Sequence, residues 1–313
     1  MAIADADYDL IITIVRQQSG IVLTRDKSYL LESRLVTVNE QNKFADFAQL
    51  AQAMRQGNKA VIRDVVDALT TNESLFFRDQ KPFDRFRDVM LPSLVAARAS
   101  TKTIRIWCAA SSTGQEPYSL AIMLRELSAK WAGYRIEILG TDLCREVIKR
   151  SQEGIYSQFE VQRGMPIQLL LKYFKQITPD RWQLNEDVRK MVTYREFNLL
   201  ESPAALGRFD IVFCRNVLIY FDQETKSNIL SRIAAQMPDD GYLTLGGAET
   251  VIGISNAFEL VPGEKGIYRK PQPKSALGAA PKFAVPPGST PNLNKLTAAT
   301  PPSPLPAATT PSA

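Results

Sequence analysis

Apolar residues recur at steps of three and four over the first 70 positions. Tyr8, Ile11, Ile12 and Val15 share one face, Leu31, Leu35 and Val38 a second, Phe44, Phe47, Ala51 and Met54 a third, and Ile62, Val65, Val66 and Leu69 a fourth. That spacing is the 3.6-residue period of amphipathic helices, and Gly20 and Gly57 punctuate it. A small helical bundle is predicted over residues 1–70. Its cations are scattered, which is how a solvated face reads. Lys27 and Arg34, on one predicted helix, are the pair best placed to meet an acidic partner.

From about residue 100 the period changes. Residues 104–108, 135–140, 210–214 and 242–246 read as short strands, and 117–130, 143–153 and 223–236 read as helices between them. Alternation of this kind predicts a largely parallel sheet with helices on both faces. Residues 155–197 interrupt the rhythm. They hold a helical stretch at 167–174, then 181–184 and 191–197, which read as antiparallel strands around 185–190. An insertion of that length is either functional or an inert decoration.

Composition changes the picture at the C-terminal end. Residues 271–313 hold 11 of the 19 prolines, many alanines and few large apolar side chains, so they read as a disordered tail. Lys274, Lys282 and Lys295 give this tail three positive charges and it has no acid. The chain's net charge of +5 therefore falls to +2 for residues 1–270. A nearly balanced body does not predict nucleic-acid binding. No apolar run approaches the ~20 residues that span a bilayer, and Asp5, Asp7 and Asp9 oppose the charge of a secretory leader. Cys108, Cys144 and Cys214 are widely spaced, which predicts reduced thiols in a cytoplasmic protein and no metal site.

The chain contains no histidine. That excludes Ser-His-Asp and Cys-His catalysis, histidine-ligated metals and a histidine general base. The chemistry must proceed without the usual proton shuttle.

Four segments carry candidate chemistry. The first predicted strand runs into AASSTGQEP (109–117), whose small residues allow close backbone approach to a ligand. It matches neither GxGxxG nor the GxxxxGK[ST] phosphate loop. The second strand ends at Asp142, where a carboxylate suits a ribose diol but is equally suited to cap the next helix. Together, the small-residue loop and this acid favour a nucleoside-bearing cofactor. The run FDIVFCRNVLIYFD (209–222) is a buried strand breaking into a polar turn, and TNESLFFRD (71–79) joins the bundle to the sheet. Polar residues at such a junction line a cleft or cap helices.

These segments, followed in order with TDLCREVIKRSQEGIY, FNLLE and GYLTLGGAET, strongly resemble the chemotaxis receptor methyltransferases, the CheR family. The resemblance covers about residues 5–270. It implies an α/β fold: a class I, Rossmann-like S-adenosylmethionine-dependent methyltransferase domain at 71–270. It also implies an N-terminal helical domain at 1–70 and a small antiparallel β-subdomain inserted at about 155–197. Asn72, Ser74, Arg78, Glu116, Asp142, Asn198, Leu199, Asn216 and Val217 match cofactor-contacting positions. Arg78 and Tyr220 match positions near the transferred methyl. The implied substrate is the glutamate side chains of methyl-accepting chemotaxis receptors, met on their cytoplasmic domain by a monomer. Ser74 stands where the family has Thr, and Gln115 where it has the first Glu of GEEP. The turn around Leu184–Val188 lacks the longer glycine-containing form of members that tether to a receptor C-terminal peptide.

The resemblance gives the missing histidine a chemical sense, since a carboxylate nucleophile is already ionised at neutral pH. Two other classes remain as readings of the sequence. One is a methyltransferase of nucleic acid or a small molecule, although neither a Pro-Cys pair nor an (Asp/Asn)-Pro-Pro-(Tyr/Phe) motif is present. The other is a binding module with the same fold and no catalysis.

Overall fold

A computed structural model describes residues 3–272. The tail expected at 271–313 therefore lies, from residue 273 onward, outside the described residues.

The four apolar faces become four helices: α1 (Asp5–Ser19), α2 (Ser28–Asn42), α3 (Phe47–Arg55) and α4 (Lys59–Leu69). Their stripes meet in one core, with Ile11, Leu35, Leu50 and Val65 fully buried. The ends are set by local chemistry. Gly20, at φ 78°, closes α1 with its N–H on the Arg16 carbonyl. The side chains of Asp46 and Asn58 accept the first free N–H groups of α3 and α4. Arg34 is not free to steer a partner. It donates to the carbonyls of Leu69 at 3.1 Å and Thr70 at 2.9 Å, where α4 ends.

The chain continues through α5 (Lys81–Arg85) and α6 (Leu91–Ala97) into β1 (Thr103–Ala109). Next come α7 (Gln115–Glu126), β2 (Arg135–Asp142) and α8 (Arg145–Glu153). A smaller unit follows, with β3 (Ile155–Ser157), α9 (Gln158–Gln162), α10 (Ile167–Tyr173), β4 (Phe174–Thr178) and β5 (Arg181–Leu184). After α11 (Glu186–Arg189) come β6 (Val192–Glu196), β7 (Ile211–Cys214), α12 (Gln223–Ala235) and β8 (Tyr242–Leu245). The described chain closes with β9 (Glu259–Leu260) and β10 (Ile267–Arg269).

Seven strands form one sheet in the order β6-β2-β1-β7-β8-β10-β9. The first five are parallel, β10 runs antiparallel to β8, and β9 pairs antiparallel with β10. Alternate residues of β1 feed two cores, Ile104, Ile106 and Cys108 one face and Trp107 and Ala109 the other. That is why the strand's second half, Ile106–Ala109, reads as an unbroken apolar run.

The small antiparallel sheet, β3-β5-β4, corrects the expected insertion. It closes at Leu184, whereas residues 192–196 pair in parallel with β2. Residues 185–190 hold a helical turn, and the hairpin turn lies at Pro179–Asp180, between β4 and β5. Alternation with Val192 and Tyr194 buried suits a half-covered edge strand of either direction, so the pattern cannot choose the partner. The predicted helix 117–130 likewise ends at Glu126, followed by a separate 3-10 turn.

The helical bundle is fastened across the carboxyl edge of the sheet. Ile21 packs on both the bundle core and the sheet core, and Leu143, next after Asp142, packs on the bundle. Arg145 on α8 pairs with Asp64 and Asp67 of α4 at 3.1 Å each, and Arg63 pairs with Glu196. The Val22 N–H donates to the Tyr220 carbonyl at 2.9 Å.

Candidate active site

The turns that follow β1, β2, β6 and β7 converge with residues 70–78 on one cleft. In α/β sheets, ligand sites lie at the carboxyl edge of the strands. All ten residues expected from the sequence line this cleft: Asn72, Ser74, Arg78, Glu116, Asp142, Asn198, Leu199, Asn216, Val217 and Tyr220.

The backbone is bent sharply at its rim. Ala110 (φ 57°), Ser112 (φ 49°) and Asn216 (φ 59°) take the left-handed conformation just past β1 and β7. Phe77, Asp79 and Gln80 do so in the segment joining the bundle to α5. Each such residue costs about 1–3 kcal/mol and persists where surrounding contacts enforce it. Here the contacts are visible. The Ser112 hydroxyl donates to the Asn72 carbonyl at 2.8 Å, and the Ser119 hydroxyl accepts the Phe77 N–H at 3.0 Å.

Asp142 is buried, and each of its carboxylate oxygens receives one backbone N–H, from Ser112 at 2.8 Å and Cys144 at 3.0 Å. Burial raises its pKa above the usual carboxylate value, and the backbone N–H groups of Cys144, Ser112 and Leu143 pull it part of the way back. Each oxygen keeps a further lone pair for a ligand hydroxyl. Asp142 does not cap α8, whose N-cap is Cys144.

Glu116, in the first turn of α7, is largely but not fully buried, its side chain 13% exposed. Burial raises its pKa, and the Arg215 guanidinium opposes the rise. Arg215 Nη1 donates to Glu116 at 2.7 Å, while Nη2 donates to Asp79 at 2.8 Å and to the Arg78 carbonyl at 2.9 Å. One side chain with 2% exposure thus ties β7, α7 and the 71–80 segment together. Arg78 projects its own guanidinium at the opening, with a single 3.3 Å bond to the Glu73 carbonyl.

Not every expected contact is free to reach a ligand. Asn198 spends its amide on the Gln18 carbonyl (2.7 Å) and its side-chain oxygen on the Leu200 N–H (3.0 Å), so it locks the bundle to the β6 turn. The carbonyls of Asn198 and Leu199 are engaged too, by the Glu201 N–H at 2.8 Å and by Arg232 at 3.4 Å. Ser111 was not singled out by sequence. It is buried at the cleft wall, and its hydroxyl has no partner among the described residues. Arg215, a lone cation closing an apolar strand, gave a legible signal, since a charge placed there must find buried partners.

These features fit a nucleoside-bearing molecule. A buried carboxylate with spare lone pairs, an unpaired hydroxyl and left-handed turns without bulky side chains are what polyhydroxylic and planar groups require. The close approach extends to Gly140, where an added Cβ would lie 2.6 Å from the buried Tyr194 ring. Gly140→Ala is expected to cost about 1–3 kcal/mol through overpacking, read as a lowered midpoint in thermal unfolding.

Two family models match the chain. One, described as the CheR methyltransferase all-alpha domain, covers residues 6–70, and the other, the CheR methyltransferase SAM binding domain, covers residues 72–267. Chemotaxis protein methyltransferase 1 of Pseudomonas aeruginosa is 38% identical over 86% of this chain and 99% of that protein. Chemotaxis protein methyltransferase 1 of Vibrio cholerae is 37% identical over 86% of this chain and 98% of its own length. A chemotaxis protein methyltransferase of Borreliella burgdorferi is 34% identical over 80% and 90%, respectively.

Proposed function

The chain belongs to the CheR methyltransferase family and is an S-adenosylmethionine-dependent methyltransferase, and from that premise we propose that it methylates glutamate side chains of methyl-accepting chemotaxis receptors. The products are glutamyl methyl esters and S-adenosylhomocysteine. In this reading residues 1–70 form the helical domain and 71–270 the catalytic domain, and the protein acts as a monomer on the receptors' cytoplasmic part. Among the described residues no helix is long and apolar enough to cross a membrane.

One observation supports a carboxylate substrate above others. Every carboxylate lining the cleft is already engaged: Glu73 with Arg163, Glu116 with Arg215, and Asp142 with two backbone amides. With no histidine in the chain, no group there is disposed to take a proton from a neutral nucleophile. A glutamate side chain, with a reference pKa near ~4.3, arrives ionised.

Asp142 would accept the ribose hydroxyls. Asn72, Ser74, Glu116, Asn198, Leu199, Asn216 and Val217 would line the rest of the cofactor. When bound, S-adenosylmethionine supplies a methyl group made electrophilic by the adjacent sulfonium charge. The protein's task is then orientation and exclusion of water. Arg78 and the Tyr220 hydroxyl are the polar groups left to hold the incoming carboxylate or the cofactor's reactive end. Arg78 must not grip the carboxylate tightly, because charge is neutralised on the way to the transition state.

The test is transfer of labelled methyl from S-adenosylmethionine to receptor-containing membranes. Base-labile label on receptor protein is the expected result. Cofactor binding without label would make the chain a binding module, and base-stable label would point to another acceptor atom. Tyr220→Phe and Arg78→Ala are expected to lower turnover by about 10- to 100-fold, the worth of one hydrogen bond to a charged group. Wild-type turnover in both variants would refute these two roles.

A further inference from the structure

We propose that Glu249 is a positioning residue for methyl transfer. Its carboxylate builds the turn that carries Asn216, Val217 and Tyr220 into the cleft. The inference rests on the reading of that cleft as the cofactor site.

Glu249 lies in the turn after β8, 33 residues beyond Asn216, and neither periodicity nor spacing singles it out. In the folded chain its two oxygens receive four backbone N–H groups. Oε2 accepts from Gly246 at 2.7 Å and Asn216 at 2.8 Å, and Oε1 accepts from Val217 at 2.9 Å and Ile219 at 3.3 Å. Three of these donors belong to the turn after β7. That turn starts from the left-handed φ of Asn216 (59°), and its amides find their acceptor in the Glu249 carboxylate. The carboxylate supplies one charge to all of them, and such charge-assisted bonds are roughly twice as strong as neutral ones.

The fit is close. A Cβ on Gly246 would fall 2.7 Å from Glu249 Oε2 and 2.9 Å from the Asn216 nitrogen. A glycine is therefore needed where the two turns touch. The arrangement also requires a carboxylate. A glutamine has one oxygen, and in either orientation its NH₂ faces two N–H donors. An aspartate keeps the charge but falls one methylene short of both pairs. Misplacing a turn by about 1 Å can cost about 100-fold in rate.

The experiment compares wild type, E249Q, E249D, N216A and E249Q/N216A by calorimetric titration with S-adenosylhomocysteine. Thermal unfolding is followed in parallel. E259Q, which cuts an ion pair at the far edge of the sheet, is the control. E249Q is expected to weaken binding by about tenfold or more and to lower kcat, with the receptor KM unchanged. In E249Q the Asn216 side chain is already displaced, so adding N216A should cost less than N216A costs wild type. E259Q should bind as wild type does. If E249Q does not fold, E249D carries the same comparison at a temperature where it is native. A folded Glu249 variant that binds within twofold of wild type would overturn the proposal, as would strictly additive losses. Failure of wild type to bind S-adenosylhomocysteine would instead refute the reading of the cleft.

Discussion

Arg215→Met is expected to destabilise the protein by about 3–5 kcal/mol, the cost of removing one partner from a buried ion pair. The guanidinium is the only cation bonded to Glu116 among the described residues, and burial already raises the Glu116 pKa against its opposition. Methionine fills similar volume, so little of the loss would come from a cavity. The residue left behind is an unpaired buried carboxylate. Urea unfolding should show the deficit, and the double variant R215M/E116Q should recover much of it. A raised folded-state pKa means that the native state holds this proton more tightly than the unfolded chain. Stability therefore falls as pH rises from the ordinary carboxylate pKa through the raised value. Without the guanidinium the Glu116 pKa rises further, so the deficit of R215M should be smallest in acid and grow as pH rises past the wild-type value. A pH-independent deficit would show that Glu116 is not the group responsible. Cofactor binding should fall with stability, because Arg215 also anchors the 71–80 segment through Asp79 and the Arg78 carbonyl.

The second large effect concerns Asp142. Asp142→Asn keeps the shape but turns one oxygen into an NH₂ facing a backbone N–H that the carboxylate now accepts. It also removes the charge offered to two ligand hydroxyls. S-adenosylhomocysteine affinity should drop by about 10- to 100-fold, the worth of a charged hydrogen bond at about 1.5–3 kcal/mol. Because burial raises the Asp142 pKa, wild-type affinity should decline as pH falls through that raised value, where the carboxylate protonates. D142N should lack this decline. Calorimetric titrations of both proteins across the acidic range decide the matter, and parallel pH profiles would remove Asp142 from the ribose site.

Much of the site was legible because strand-end positions are. A four-residue apolar run such as Ile211–Cys214 cannot continue through Arg215 and Asn216, so the chain must turn there, at the carboxyl edge of a parallel sheet. Asp142 was legible for the same reason, although its bonds to Ser112 and Cys144 were not. Asn198 lines the cleft, yet its amide is spent on Gln18, a contact between residues 180 positions apart. Arg34 looked like a solvated cation and caps the carbonyls at the end of α4 instead. Glu249 gave no signal, since a carboxylate in a Gly-Gly-Ala-Glu turn reads as surface until the β7 turn is laid against it.

The sequence by itself determined the helical bundle, the alternating strands and helices, the tally of usable chemistry and the absence of a histidine base. These follow from periodicity and composition, which are properties of the chain taken a few residues at a time. Only the tertiary structure decided that residues 192–196 pair with β2, that the bundle closes over the carboxyl edge of the sheet, and which side chains are already committed. Those outcomes depend on which distant backbone amides and carbonyls a side chain meets. A buried polar group must satisfy whatever partners the fold brings to it, and no local pattern records who they are.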